Sequence, residues 1–311
     1  MVVPGTVHTV RGRVAGGQLG LTLPHEHVLV DFVGAASVSP SRYDADAAFK
    51  KVRPHLDRIY QLGVRTLVEC TPAYLGRDVR LLRRLSEASG LHILTNTGYY
   101  GAANDKFLPP HAFTATADEL AARWIAEARD GIDGTDIRPA FMKIGVDAGP
   151  LSAVDEKLVR AAARTSRATG LPIYSHTGDG AAALAELAVL EDERVPLDAF
   201  IWVHAQNERD IAVHLGAARR GAWIAFDGLS EGNVDRYVAV TLGMRDAGLL
   251  GRLLISHDAG WYRVGEPGGG EYRPHTDLFE FFLPALRARG VSDADITRLT
   301  VENPGRALTR T

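Results

Sequence analysis

Cysteine is nearly absent: Cys70 stands alone in 311 residues. A single thiol excludes an intrachain disulfide framework and fits a reducing compartment. Long hydrophobic runs are missing, so no segment reads as a transmembrane helix. The opening MVVPGTVHTVRGRVAGG lacks the apolar stretch of a secretory signal. Charge of one sign is not in excess either. The formal net charge of −3 gives neither nucleic acid nor an anionic membrane an electrostatic reason to bind. No internal repeat, low-complexity tract or linker interrupts the chain. No GxGxxG follows the first predicted strand, which counts against an open dinucleotide-binding sheet. The default these absences leave is a cytoplasmic enzyme with a small molecule as partner.

What is there is an alternation. With 46% hydrophobic and 23% charged residues the chain can bury a large core. Short β-rich runs at 20–30, 64–70, 91–97, 139–146, 171–176, 200–205, 222–227 and 252–258 are each followed by helical periodicity. The helical stretches are 46–62, 77–89, 116–130, 153–169, 180–191, 207–219, 233–248 and 275–289, with Gly63, Gly90 and Gly170 placed as left-handed caps. Eight β-then-α units without a break in composition predict an α/β fold, a (β/α)8 TIM barrel spanning 1–311 as a single domain. Residues 5–17 read as a short N-terminal β-hairpin covering the N-terminal end of the barrel. The longest irregular stretches, 98–115 and the glycine-rich 259–274, fall on the C-terminal face, where barrel enzymes place substrate.

Side chains alternate along a strand, so His25 and His27 in Pro24-His25-Glu26-His27 point one way and Glu26 the other. Two imidazoles together form a nucleus for a divalent metal, although an HxH alone is more often a hydrogen-bonded pair. His176, His204 and Asp258 end the fifth, sixth and eighth predicted strands, which brings five N and O donors to one mouth. Lys143, in PAFMKIGVD, shares a face with Phe141 and Gly145, and points into the barrel if Met142, Ile144 and Val146 meet the helices. Two readings of it stand: a lumen lysine paired with a carboxylate, or a neutral amine that adds CO2 to become an anionic carbamate bridging two metals. Glu26 and Glu69 read either as orienters of ligand imidazoles or as buried ion-pair partners. Cys70 reads as a small buried residue and His257 as structural. His8, His55, His92, His111, His214 and His275 fall outside the ligand set.

In these residues the chain resembles the phosphotriesterase family of the amidohydrolase superfamily, which includes the phosphotriesterase-like lactonases. The likeness runs through LTLPHEHVLVD, VRTLVECTP with Gly76-Arg77-Asp78, FMKIG, YSHTG, WVHAQNE, ISHDAG and VENPGRAL. It implies a binuclear centre. By position His25, His27 and Asp258 match the ligands of the more buried metal, His176 and His204 those of the exposed one, and Lys143 the bridging carbamate. Zinc is expected first among the metals, with manganese, cobalt and iron as alternatives. Proteins similar to this one are often homodimers.

Two cations sharing a hydroxide would lower the pKa of bound water and polarise a carbonyl or phosphoryl oxygen. Asp258 is the candidate to accept the proton, with a passive ligand role as the alternative. For substrate contact the candidates are Tyr99 and Tyr100 after strand 3, and Trp261, Tyr262 and Arg263 after strand 8. Arg263 is either an anion clamp or a solvated loop residue. Acyl-homoserine lactonases of the family often carry Asp-Arg after strand 7, whereas this chain has Asp227-Gly228. The expectation is therefore a lactonase for small polar or sugar lactones, including phosphorylated ones. Phosphotriester hydrolysis and amide hydrolysis are the rivals, and a catalytically silent binding barrel is the non-enzymatic alternative.

Overall fold

The computed structural model describes residues 5–309. A hairpin comes first, β1 (Thr6–Thr9) pairing antiparallel with β2 (Gly12–Ala15). The strands that follow are β3 (Leu21–Glu26), β4 (Leu29–Val30), β5 (Val64–Glu69), β6 (His92–Leu94), β7 (Asn96–Thr97), β8 (Phe141–Val146), β9 (Ile173–Thr177), β10 (Phe200–Val203), β11 (Trp223–Phe226), β12 (Leu253–Ile255) and β13 (Tyr262–Arg263). β3, β5 and β6 pair in parallel, and so do β7 through β12 in chain order. β6 and β7 are one run of chain, and the Thr95 carbonyl between them accepts from Ala140 N–H at 2.8 Å. The ring closes where Asp258 N–H donates to the His25 carbonyl (3.2 Å) and His27 N–H to that of Ala259 (2.9 Å). The fold is the expected (β/α)8 barrel with its N-terminal hairpin.

Two packed regions follow from the alternation of each strand. Phe141, Tyr174, Ile201, Trp223, Ala225 and Leu254 fill the barrel interior, with the Phe141 and Tyr174 rings 4.7 Å apart. Met142, Ile144, Val146, Ile173, Trp202 and Ile224 face outward into the layer shared with the helices. Val7 and Leu19 from the hairpin segment, with Ala307 and Leu308, join the interior cluster. At about 25 cal/mol per Å² of apolar surface, this double burial is the main stabilising term.

The helices are α1 (Ala45–Gln61), α2 (Val79–Ser89), α3 (Pro110–Thr114), α4 (Ala117–Asp130), α5 (Ala153–Thr169), α6 (Gly180–Asp192), α7 (Ile211–Arg220), α8 (Val234–Asp246), α9 (Leu283–Ala288), α10 (Asp293–Thr297) and α11 (Asn303–Leu308). Asp44, Asp78, Thr116, Ser152, Asp179 and Asp210 accept first-turn amides as N-caps, each worth about 1 kcal/mol. Gly90 (φ 80°) and Gly170 (φ 78°) end α2 and α5 in the left-handed conformation, as their spacing predicts.

Three boundaries differ from expectation. The first predicted strand, 20–30, is cut at Glu26, and Leu29–Val30 turns away to pair with Tyr262–Arg263. The helix expected over 275–289 begins at Leu278 with a wide turn, Leu278–Phe282, just before Pro284. A second such turn, Arg298–Glu302, precedes Pro304 in a helical tail beyond residue 291 that the periodicity does not predict. A proline removes one backbone donor from the regular ladder, and a wide turn accommodates the loss. No helix among the described residues is long and apolar enough to cross a membrane.

Candidate metal centre

The barrel strands deliver the donors one by one. His25 lies in β3, Lys143 in β8 and His176 in β9, where it stands opposite Gly145. His27 follows the end of β3, His204 is the first residue past β10, and Asp258 comes three residues past β12. His204 (φ 63°) and Asp258 (φ 52°) hold left-handed backbone conformations, which non-glycine residues adopt only when their surroundings impose it. All six line one cavity of about 100 Å³. Ring centroids lie 5.4 Å apart for His25 and His27, 5.1 Å for His25 and His204, and 4.4 Å for His176 and His204.

Each of these imidazoles has its Nδ1 engaged by an oxygen. Asp227 takes Nδ1 of both His25 (2.8 Å) and His204 (2.6 Å). Thr71 Oγ1 meets Nδ1 of His27 at 2.7 Å, and Tyr100 Oη that of His176 at 2.9 Å. An imidazole that donates through Nδ1–H carries its lone pair on Nε2, the form a cation binds. His25, His27 and Asp258 place one donor atom each within 4.8 Å of one another. His25, His204 and Asp227 do the same, but there Asp227 already accepts both Nδ1–H groups, so we read it as their orienter rather than a ligand.

Lys143 completes the set. Its side chain is buried and its Nζ has no hydrogen-bond partner among the described residues. A buried side-chain nitrogen without a partner is rare in a folded protein and marks a site that something else completes. An orphan amine beside inward-facing Nε2 atoms fits a chain built to hold cations. Gly145, two strand positions along on the same face, leaves room here, since a Cβ would lie 2.9 Å from the Tyr100 ring and 3.3 Å from His176 Cβ.

Burial and neighbouring groups shift three of the donors. Burial, helped by the Lys143 charge, lowers His25 to about 4 and, with His204 beside it, holds His176 well below the usual imidazole range. Burial opposes ionisation of Asp258, but the hydrogen bond with His27 and the His25 and His27 charges outweigh it and hold its carboxyl well below the usual carboxylate range. Asp227 is held down in the same way by His204 and His25.

The model of the "Phosphotriesterase family" matches residues 5–308. The chain belongs to this family. It is 30% identical over 289 residues to a phosphotriesterase homology protein of Escherichia coli, covering 92% of this chain and 96% of that one. It is 29% identical over 297 residues to an aryldialkylphosphatase of Saccharolobus solfataricus, covering 92% and 94%. A solved mutant of a PTE-like lactonase from Deinococcus radiodurans superposes with a TM-score of 0.87 at 30% identity, covering 97% of this chain and all of that one (100%). As a phosphotriesterase-family protein the chain is a hydrolase, and the family depends on a binuclear metal centre.

Within this family member the residues expected to touch substrate separate. Tyr100 and Trp261 line the cavity, Trp261 lying edge-on to His27 with ring centroids 5.3 Å apart. Tyr99 turns the other way. Its hydroxyl meets His111 Nε2 at 3.0 Å, and it lines a neighbouring cavity of about 290 Å³ with Tyr43, Tyr74, Arg77 and Asp78. Tyr262 is buried against Tyr43, in register with Leu29. Arg263 is half exposed beside Glu266 (3.8 Å), its guanidinium 5.9 Å above the Trp261 ring, and does not line the metal cavity.

Sequence reasoning missed Asp227 as a shared partner of two imidazoles. It read the residue only as the aspartate of a pair, Asp227-Gly228, whose second member departs from the lactonase pattern. The available signal was a carboxylate one residue past β11, level with the other donors. Gln206 secures Asp227 in turn, donating from Nε2 to its Oδ1 (2.9 Å) and accepting its N–H (3.2 Å). Glu69 reaches His27 through Thr71, whose hydroxyl bonds both, and burial raises this carboxyl to about 7. Glu26 bonds to none of the four imidazoles and reaches the turn after β12. His257 bonds Glu26 through Nδ1 at 2.6 Å, and burial pushes the Cys70 thiol up, which suits an inert packing residue.

Proposed function

We propose that the chain is a lactonase for small, uncharged lactones. It would hold one divalent cation with His25, His27 and Asp258 and a second with His176 and His204, with Lys143 carrying CO2 as a carbamate shared by both. The observation that carries this reading is the pairing of Nδ1 with an oxygen in His25, His27, His176 and His204, around a buried Lys143 amine with no partner among the described residues. When bound, such cations lower the pKa of water and polarise the oxygen of the scissile group. Zinc suits these N and O donors, as do manganese, cobalt and iron.

The protein's own groups supply the rest. Lys143 Nζ, as a free amine, would form an N–C bond to CO2 and release one proton to solvent, which converts a neutral amine into a carbamate anion. Asp258, 3.0 Å from His27 Nε2 through Oδ1, is the base that takes the proton of the attacking water and returns it to the leaving alkoxide. Phe32, Leu75, Val30 and Trp261 make the other wall apolar. A dry wall strengthens every interaction with charge that develops opposite it. Apart from Lys143 the lining carries no lysine or arginine, and Arg263 lies outside it, so a phosphorylated lactone would lack a clamp there. The volume suits a compact ring without a long acyl chain.

Phosphotriester hydrolysis is the second reading, favoured by the likeness to an aryldialkylphosphatase. A pH-indicator screen of the zinc-loaded protein against small neutral lactones, lactone phosphates and paraoxon separates the two. The lactonase reading expects kcat/KM for neutral lactones at least about tenfold above both other classes. Faster turnover of paraoxon overturns it, and a preference for phosphorylated rings overturns the uncharged-substrate part.

A further inference from the structure

Asp258 is the donor with the least support from the ladder. β12 ends at Ile255, and residue 258 holds φ 52°, a conformation a non-glycine residue keeps only under constraint. The constraint comes largely from one carboxylate. Glu26 is fully buried between His25 and His27 in sequence but on the opposite face of β3. Its Oε1 accepts from Ser256 Oγ (2.7 Å), from His257 N–H (3.1 Å) and from His257 Nδ1 (2.6 Å), and its Oε2 accepts from Ala259 N–H (2.9 Å). Leu278 N–H donates to His257 Nε2 at 3.0 Å, so the imidazole proton sits on Nδ1 and points at Glu26. Two of these four donors are the backbone amides on either side of Asp258.

We infer that Glu26 is a positioning residue for Asp258: it clamps the flanking amides and so fixes the backbone from which the Asp258 carboxylate meets His27 Nε2 at 3.0 Å. The triplet His25-Glu26-His27 then sets a whole cation site, supplying two donors itself and aiming the third from the far end of the chain. The main chain completes the clamp. His27 N–H donates to the Ala259 carbonyl at 2.9 Å, and a Cβ at Gly260 would lie 1.9 Å from the His27 carbonyl oxygen, so the two strands close on each other here. This inference rests on the metal reading above.

The test is Glu26→Gln. Glutamine preserves the volume and one acceptor oxygen, but sets an amide NH2 against Ala259 N–H, donor facing donor. Metal-free protein is titrated with Co2+ and followed by uptake and visible spectrum, and the metal-free variant is crystallised. The expected result is a fold retained, one of two cobalt equivalents weakened about 10- to 100-fold with an altered spectrum, and residue 258 moved out of its left-handed conformation. Leu286→Ala, a core change far from the cluster, should lower Tm while leaving both equivalents and the spectrum as in wild type. Wild-type cobalt uptake and spectrum in Glu26→Gln overturn the inference alone. Wild-type protein that takes up no cobalt overturns the metal reading and this inference with it. If the variant does not fold, amide exchange in metal-free wild type decides: the clamp predicts slow exchange at His257 and Ala259, and rates typical of exposed loop amides overturn it.

Discussion

The floor and the rim of the cavity are built on different rules. On the floor, the imidazoles of His25, His27, His176 and His204 each have Nδ1 tied to an oxygen. On the rim, Trp261 and Phe32 lie against each other with centroids 5.3 Å apart, and Arg263 stands outward beside Glu266. A strand imposes a two-residue period and a register, so its side chains have little choice of direction. A loop imposes neither. Chemistry is thus set by the rigid part of the molecule, and substrate choice by the part most easily altered.

That contrast predicts a ranking of mutational effects. The largest belongs to Lys143→Met, which keeps the stem and removes the amine. Lactone turnover should fall by roughly 10³-fold or more, with metal content below two equivalents. Near-wild-type turnover would show that the floor does not depend on this group. Asp227→Ala comes next, because it strips the partner from two Nδ1–H groups at once. Cobalt affinity should drop about 10- to 100-fold, and no change would mean that the imidazoles need no orienter.

The rim should respond differently in kind as well as in size. Trp261→Ala removes an apolar wall, and we expect KM to rise several-fold with a smaller change in kcat. Arg263→Ala should alter kcat/KM for neutral lactones by less than about twofold, since an exposed guanidinium beside a carboxylate contributes little. A tenfold loss from Arg263→Ala would move that residue from the rim into the substrate site.

The smallest effect concerns stability. Glu186 is buried behind β9, bonded to Ser175 and Thr177, and burial raises its carboxyl to about 8. The folded state holds a proton that the unfolded chain releases near its ordinary carboxylate pKa. Stability from this group is therefore full below that value and falls as pH climbs towards 8. Glu186→Gln should flatten the slope, giving a Tm near wild type at about pH 5 and above it at about pH 9. Parallel Tm curves for the two proteins would contradict this sign.

The same contrast explains what could be read from the sequence. The inward face of Phe141, Lys143 and Gly145 and the shared direction of His25 and His27 follow from strand alternation alone. So does the exit position of His176, and all of them stand where that period puts them. Tyr99 and Tyr100 are neighbours after the third strand, and nothing in composition says which faces the cavity. The loop turns Tyr99 towards His111 and Tyr100 towards His176. Asp227 was visible as a residue but not as a partner, because its two contacts come from residues 202 and 23 positions away. Glu26 was readable as a buried carboxylate, while its grip on the turn at Asp258 depends on closure of the ring between the first and last strands. Long-range pairing of that kind has no local signature.

Anomalous diffraction at the zinc edge, from crystals of the zinc-loaded protein, tests the central claim most directly. The account predicts two peaks in the cavity, one within coordination distance of Nε2 of His25 and His27, the other within reach of Nε2 of His176 and His204, with extra density continuing from Lys143 Nζ. A cavity without anomalous peaks, or peaks bound through Asp227 with a bare Lys143 amine alongside, would contradict it.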